Sequence, residues 1–330
     1  MKQILLATVF TVGFAGAALA QSLIDQLNGG TSTSSTSTIR IAAGVPDKAN
    51  YHDVLPRIAT FAVPEGLNVV QVQSSGSVQS AAFVCLGTKA DAAIGQADAF
   101  NAIIGQTECA GKYEVIGQPL YGYYGYAIAL ANPTPEMLKS KPWLADGSLQ
   151  SMVNDVQTGS TINVADGKVG SGGQVTFGNM LSKNPDWKNA ISEQADDATT
   201  GESELQDGDV DVVFVMDSPA SPFIQNTESA IDPTTKKPLY RFLDVRPGDD
   251  FFAITDWNSK PLYSEVTLSG NFWTGKTKTV ETDAVVIVNT AWANDDANSA
   301  AMTILRDALG RAESKIRAVT GTPKDWDDGN

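Results

Sequence analysis

Apolar positions along this chain alternate between two spacings. Residues 39–44 (Ile-Arg-Ile-Ala-Ala-Gly) read as a short strand ending in glycine, and Leu67–Val72 is a β-branched run. Val78, Ala81, Ala82, Cys85 and Leu86 then mark one face of a helix over 78–86. An apolar strand at 90–94 precedes a helix at 98–104, and strands at 113–116 and 123–130 follow. A polar connection opens at 134–139. A strand at 161–164 leads to a helix at 174–182, and buried strands are predicted at 210–215 and 285–288. Ala301, Ile304, Leu305, Ala308, Leu309, Ala312 and Ile316 form the clearest helical stripe. Asn294, Asp295 and Asp296 suit its start, Gly321 and Pro323 its end, and residues 324–330 read as a frayed tail. Alternating strands and helices predict an α/β fold with largely parallel sheets.

The first residues follow neither spacing. Met1-Lys2, an apolar run over 4–19 and the small residues Ala18 and Ala20 read as a secretory signal peptide cut after Ala20. Residue 21 is Gln, which excludes a lipid-modified N-terminal cysteine. Residues 21–38, rich in Ser, Thr and Gly, read as a flexible leader. No other segment approaches the roughly 18 apolar residues of a membrane span. The expected location is the periplasm, without direct membrane insertion.

Charge narrows the partners. Asp and Glu outnumber Lys and Arg 38 to 23, a net charge of −15. That argues against nucleic acid, which needs clustered cations, and against anionic lipid. One His and two Cys leave no Cys/His metal site, and acid–base chemistry through histidine would rest on His52 alone. In an oxidising compartment Cys85 and Cys109, near the ends of consecutive helices, are expected to form a disulfide rather than two buried thiols.

Two motifs mislead. Residues 270–277 match G-x-x-x-x-G-K-[ST], but β-like sequence follows where a phosphate-binding loop needs a helix. Asp207, Asp209 and Asp211 have the start of a calcium-loop spacing, but Val212 stands where that loop needs Gly. A weak echo links residues 86–94 with residues 205–214, each reading as helix end, Gly, Asp and then a buried strand. Either any helix–turn–strand connection looks so, or two lobes are built alike.

Two glycine/serine loops carry the candidate chemistry. Ser74-Ser75-Gly76-Ser77 opens the helix at Val78, and Gly170-Ser171-Gly172-Gly173 opens the one at Gln174. Free amides and hydroxyls at helix starts bind anions, although capping is their commoner role. The expectation is a shared anion site taking Ser75, Gly76, Ser77 and Val78 from one lobe and Ser171, Gly172, Gly173 and Gln174 from the other. Tyr51 and Tyr126 are expected against the ligand's apolar part, with Gln96 and Asp98 edging the cleft and Gly44 a further ligand-binding residue. Lys48, Arg57, Lys168 and Arg246 are candidate partners for a ligand carboxylate.

At these residues the chain resembles the solute-binding receptors of TRAP transporters, of the TAXI branch. The resemblance runs over about residues 39–319. Its motifs are Ile41-Ala42-Ala43-Gly44 with Tyr51 in the following loop, Ser74-Ser75-Gly76-Ser77-Val78, Ala90-Asp91-Ala92-Ala93-Ile94-Gly95-Gln96-Ala97-Asp98 and Gly170-Ser171-Gly172. The segments at 207–215 and 281–288 look like the family's second-lobe strand and return strand. The resemblance implies a type 2 periplasmic binding protein: two α/β lobes joined by crossover strands at 123–130 and 283–288, with the ligand between them. Lobe 1 is then 39–127 with 278–330, and lobe 2 is 128–277. It implies a monomer without cofactor or enzyme activity that passes a small organic anion to a TRAP-type membrane permease. Other readings are an oxyanion receptor of an ATP-driven importer, an exported enzyme, for which no nucleophile–base or carboxylate pair is evident, and a sensor or adhesion module of the same fold.

Overall fold

In the computed structural model, residues 37–44, 51–104, 108–269 and 275–322 are the described ones. The expected signal peptide, most of the leader, Lys48 and the tail lie outside them. Strands β1 (Ser37–Ala42), β2 (Leu67–Val72) and β3 (Ala92–Gln96) are parallel in the order β2-β1-β3, connected by helices α1 (Tyr51–Ala62) and α2 (Ser77–Leu86). Helix α3 (Ala97–Ile104) follows β3 directly. The long strand β4 (Tyr113–Leu130) then leads, through α4 (Pro135–Ser140) and α5 (Leu149–Asp155), to a second set. There β5 (Ile162–Ala165), β6 (Ile191–Gln194) and β7 (Val212–Asp217) are parallel in the order β6-β5-β7. Helices α6 (Gly172–Lys183) and α7 (Pro185–Ala190) connect β5 to β6, and α8 (Ala198–Asp207) connects β6 to β7. The chain continues through α9 (Pro222–Ser229), β8 (Tyr240–Leu243), α10 (Asp249–Phe252) and β9 (Ser264–Ser269) to β10 (Lys276–Asn289), α11 (Thr290–Ala293) and α12 (Ser299–Thr320).

The two sets mirror each other. β3 pairs antiparallel with β10, β7 pairs antiparallel with β4, and β4 pairs with β10. The sheet order is therefore β2-β1-β3-β10-β4-β7-β5-β6. This is the two-lobed α/β arrangement with two crossover strands that the resemblance implies.

Three apolar clusters are buried among the described residues, two of them large. Ala301, Leu305, Ala308, Leu309, Ala312 and Ile316 of α12 are buried with Val54, Leu55, Ile58 and Ala62 of α1 against the first half of the sheet. A second cluster runs through both halves, with Phe100 and Ile103 of α3 and Phe177 and Met180 of α6. The expected disulfide is present: Cys85 at the end of α2 is bonded to Cys109 beyond α3, with Cα atoms 5.3 Å apart.

Boundaries differ from the sequence reading in instructive ways. β1 begins at Ser37, inside the segment read as leader. Tyr51 opens α1 instead of lying in a loop; Pro56 inside that helix masks its periodicity. The strands expected at 113–116 and 123–130 are one strand, because Gly117 (φ 72°) takes up a bulge opposite the register slip between Ala284 and Val286. β10 starts at Lys276, five residues before the predicted return strand at 281–288, because the threonines Thr277 and Thr279 extend its pairing to β9. The G-x-x-x-x-G-K-T match falls partly outside the described residues, and its Lys276-Thr277 end lies in this strand.

Candidate ligand site

The parallel strands of both halves point their carboxyl ends at one region, where crevices form in open α/β sheets. β1 runs out at the buried Gly44, β2 feeds the loop before α2, β3 ends at Gln96, and β5 feeds the loop before α6.

The first loop is organised by its own side chains. Ser75 N donates to Gln79 Oε1 at 2.8 Å, and the Ser74 and Ser80 hydroxyls lie 2.6 Å apart. Ser77 is buried, and its Oγ accepts from Gln96 N at 3.4 Å. The second loop turns through Gly167 (φ 105°) and Gly170 (φ 81°), a conformation that favours glycine. Ser171 caps α6 by accepting from Gln174 N at 3.3 Å, while Gln174 Oε1 accepts from Gly170 N at 2.8 Å.

The two loops meet. Val78 N donates to Gly170 O at 3.4 Å. A Cβ on Gly76 would lie 2.8 Å from that same carbonyl oxygen, so glycine permits the approach. Gln96 crosses the junction, and its carboxamide sits on Gly172, where a Cβ would fall 1.3 Å from Oε1. Gln96 is 3% exposed, and its Nε2 has no hydrogen-bond partner among the described residues.

One turn on, Asp98 lies fully buried between α3 and α6. Its Oδ1 accepts from Ala99 N at 2.7 Å. Its Oδ2 accepts from Thr176 Oγ1 at 2.5 Å and from Tyr263 OH at 2.9 Å. Asn179 Nδ2 donates to the same tyrosine oxygen at 2.7 Å, and the Tyr263 ring stacks on Phe251 at 4.1 Å. Burial raises the Asp98 pKa above the usual carboxylate range, and the three hydrogen bonds oppose that rise. Asp166, at the end of β5, is also buried, and one of its oxygens has no partner among the described residues. Desolvation, first, and the nearby Glu193 carboxylate push its pKa up to about 8.

Of the residues expected at the site, Gly76, Ser77, Val78, Gln96, Asp98, Ser171, Gly172 and Gln174 come together, with Gly170 between the two loops. Ser75 is exposed beside them, and Gly173 packs towards Asp166 O. Tyr126 lies in a separate buried cluster with Ile128 and Val213, its ring 5.3 Å from Phe242. Tyr51 is described only as the first residue of α1. Lys168 pairs with Asp197 and Arg246 with Asp244, each at 2.8 Å on the surface. Sequence reasoning missed Thr176, Asn179 and Tyr263. Among the described residues no three His, Cys, Asp or Glu side chains could hold a metal ion.

No protein-family model matches this chain, and no curated protein does. Solved structures resemble it in chain path. A Candida albicans protein described as exhibiting the generic periplasmic binding protein fold is 11% identical, with a TM-score of 0.49, over 88% of this chain and 78% of that one. An amino acid ABC transporter substrate-binding protein from Streptococcus pneumoniae, bound to L-arginine, is 11% identical (TM-score 0.44; 91% and 98% covered). The alkanesulfonate-binding protein from Xanthomonas axonopodis pv. citri, bound to MOPS, is 12% identical (TM-score 0.44; 88% and 82%). At such identities and scores these likenesses concern the chain path alone.

Proposed function

We propose that this chain is an extracytoplasmic solute-binding protein, exported by the signal peptide at 1–20. It takes a small organic anion between two lobes, 39–127 with 278–330 and 128–277, and hands it to a membrane permease of TRAP type. The observation that carries this reading is Gln96. Its Nε2 is buried without an acceptor among the described residues at the start of α6, where the two glycine/serine loops converge. A buried donor left unsatisfied costs about 1–3 kcal/mol, and a carboxylate would answer it while facing the positive end of a helix.

Most other donors at the two helix starts are engaged within the chain, so the ligand enters when the lobes part and these contacts exchange. A thermal-shift screen of carboxylates, with inorganic phosphate and sulfate as the oxyanion arm, tests the reading, because a ligand bound to the native state raises the melting temperature. A shift with carboxylates alone supports it. A shift with phosphate alone favours the oxyanion receptor, and no shift with either sinks both.

A further inference from the structure

We propose that Asp98, Thr176, Tyr263 and Asn179 form a latch that holds the two halves of the molecule closed, and that Asp98 serves closure instead of touching ligand. Asp98 belongs to α3, which continues β3 of the first half. Thr176 and Asn179 stand one turn apart on α6, which follows β5 of the second half, and Tyr263 directly precedes β9. Only β4 and β10 carry the chain between the halves among the described elements, so a bond from α3 to α6 spans parts that are far apart in sequence.

The chemistry of the group fits a reversible tie. A carboxyl buried in a static apolar seam would gain nothing over a leucine of similar volume, because desolvation offsets its hydrogen bonds. Here Asp98 takes two hydroxyl donors from the opposite half and one amide from its own helix. When the halves part, the two hydroxyl bonds are replaced by bonds to water on both sides, so the tie itself opposes opening only modestly. Gln96 is two residues away and rests on Gly172, at the start of the helix that carries Thr176. Opening the latch therefore lifts Gln96 off the α6 start in the same movement.

This rests on the two-lobe receptor reading for the motion alone and not for the ligand. The test is hydrogen exchange by mass spectrometry on the mature protein without added solute, with scattering for the radius of gyration. Asp98→Ala should speed exchange in α3 and α6 by about tenfold or more and raise the radius of gyration, while β1 and β2 keep their protection. Thr176→Val and Tyr263→Phe should each give part of that change. Should Asp98→Ala loosen the whole molecule, Tyr263→Phe decides, since it keeps the ring on Phe251. Unchanged α3 and α6 exchange in Tyr263→Phe, or equal loosening throughout, overturns the latch. A latch that opens as expected in a protein that binds nothing in the screen would sink the receptor reading and leave the latch standing.

Discussion

Asp91 and Asp211 hold the same place in the two halves. Asp91 Oδ2 accepts from Arg40 N of β1 at 2.8 Å, and Asp211 Oδ2 accepts from Asn163 N of β5 at 3.0 Å. Each lies just before the third strand of its half, after a helix closed by a left-handed glycine, Gly87 or Gly208. Each also takes a cation: the Arg40 guanidinium at 2.6 Å and Lys141 Nζ at 2.8 Å. The echo in the sequence is thus a repeat in the structure, with Asp tying the third strand of each half to the first.

The two carboxylates should therefore act alike. Asp211→Ala leaves the Asn163 amide without its acceptor and Lys141 with Gly208 O alone, and should cost about 1–3 kcal/mol. Asp91→Ala should cost a similar or smaller amount, because Arg40 is 40% exposed and water screens its ion pair. Urea midpoints of the two variants measure this. A neutral Asp211→Ala would show the repeat to be a likeness of shape without shared energetics.

The disulfide is a second stabiliser. It closes a loop of 24 residues between α2 and the turn beyond α3. Constraint of the unfolded chain by such a loop stabilises by about 3 kcal/mol, and replacing both cysteines by serine should lower the melting temperature accordingly. Native material should weigh about two mass units less than the fully reduced chain, from loss of two hydrogens on bridging. Two alkylatable thiols in oxidised protein would contradict the bond.

What the sequence made legible was local. Strand and helix order followed from spacing, and the glycine/serine loops stood out because two of them open helices directly after strands. Gln96 and Asp98 came with the strand they follow. Tyr263 lies 165 residues from Asp98 and Thr176 lies 78 away, and no local pattern announces partners so distant. Tyr126 was conspicuous as an aromatic, but alternation along β4 turned it into a buried cluster with Phe242. Pro56 hid α1 for the opposite reason, a local signal that packing on α12 overrides.

Asp166 gives the stability a pH dependence. Its folded pKa of about 8 lies above the unfolded carboxyl value of 3.8, so the folded protein holds a proton that the unfolded chain releases. Its contribution is fully present below the unfolded value and is lost as pH rises towards 8. Urea midpoints should therefore fall over that window, and Asp166→Asn, which cannot ionise, should flatten the fall and be the more stable variant above pH 8. Parallel curves for wild type and variant would remove Asp166 as the cause.

The binding site itself is tested at its two serines. Ser77 Oγ accepts from Gln96 N and so sets the strand end from which the unpartnered Nε2 extends. Ser171 Oγ caps α6, the helix on which that carboxamide rests. Hydrogen bonds to a charged group contribute about 1.5–3 kcal/mol, so Ser77→Ala should weaken binding of the carboxylate found in the screen by about ten- to a hundred-fold. Ser171→Ala should also weaken it, although it stands in the other half, because a ligand held by both halves favours the closed state. Losing the cap costs about 1 kcal/mol, so the fold should survive. Gln96→Leu removes the unpartnered donor, should bind most weakly of the three, and should melt no lower than wild type. Calorimetry decides between two roles for the loops: if all three variants bind like wild type while folded, the glycine/serine loops are helix caps and the ligand sits elsewhere.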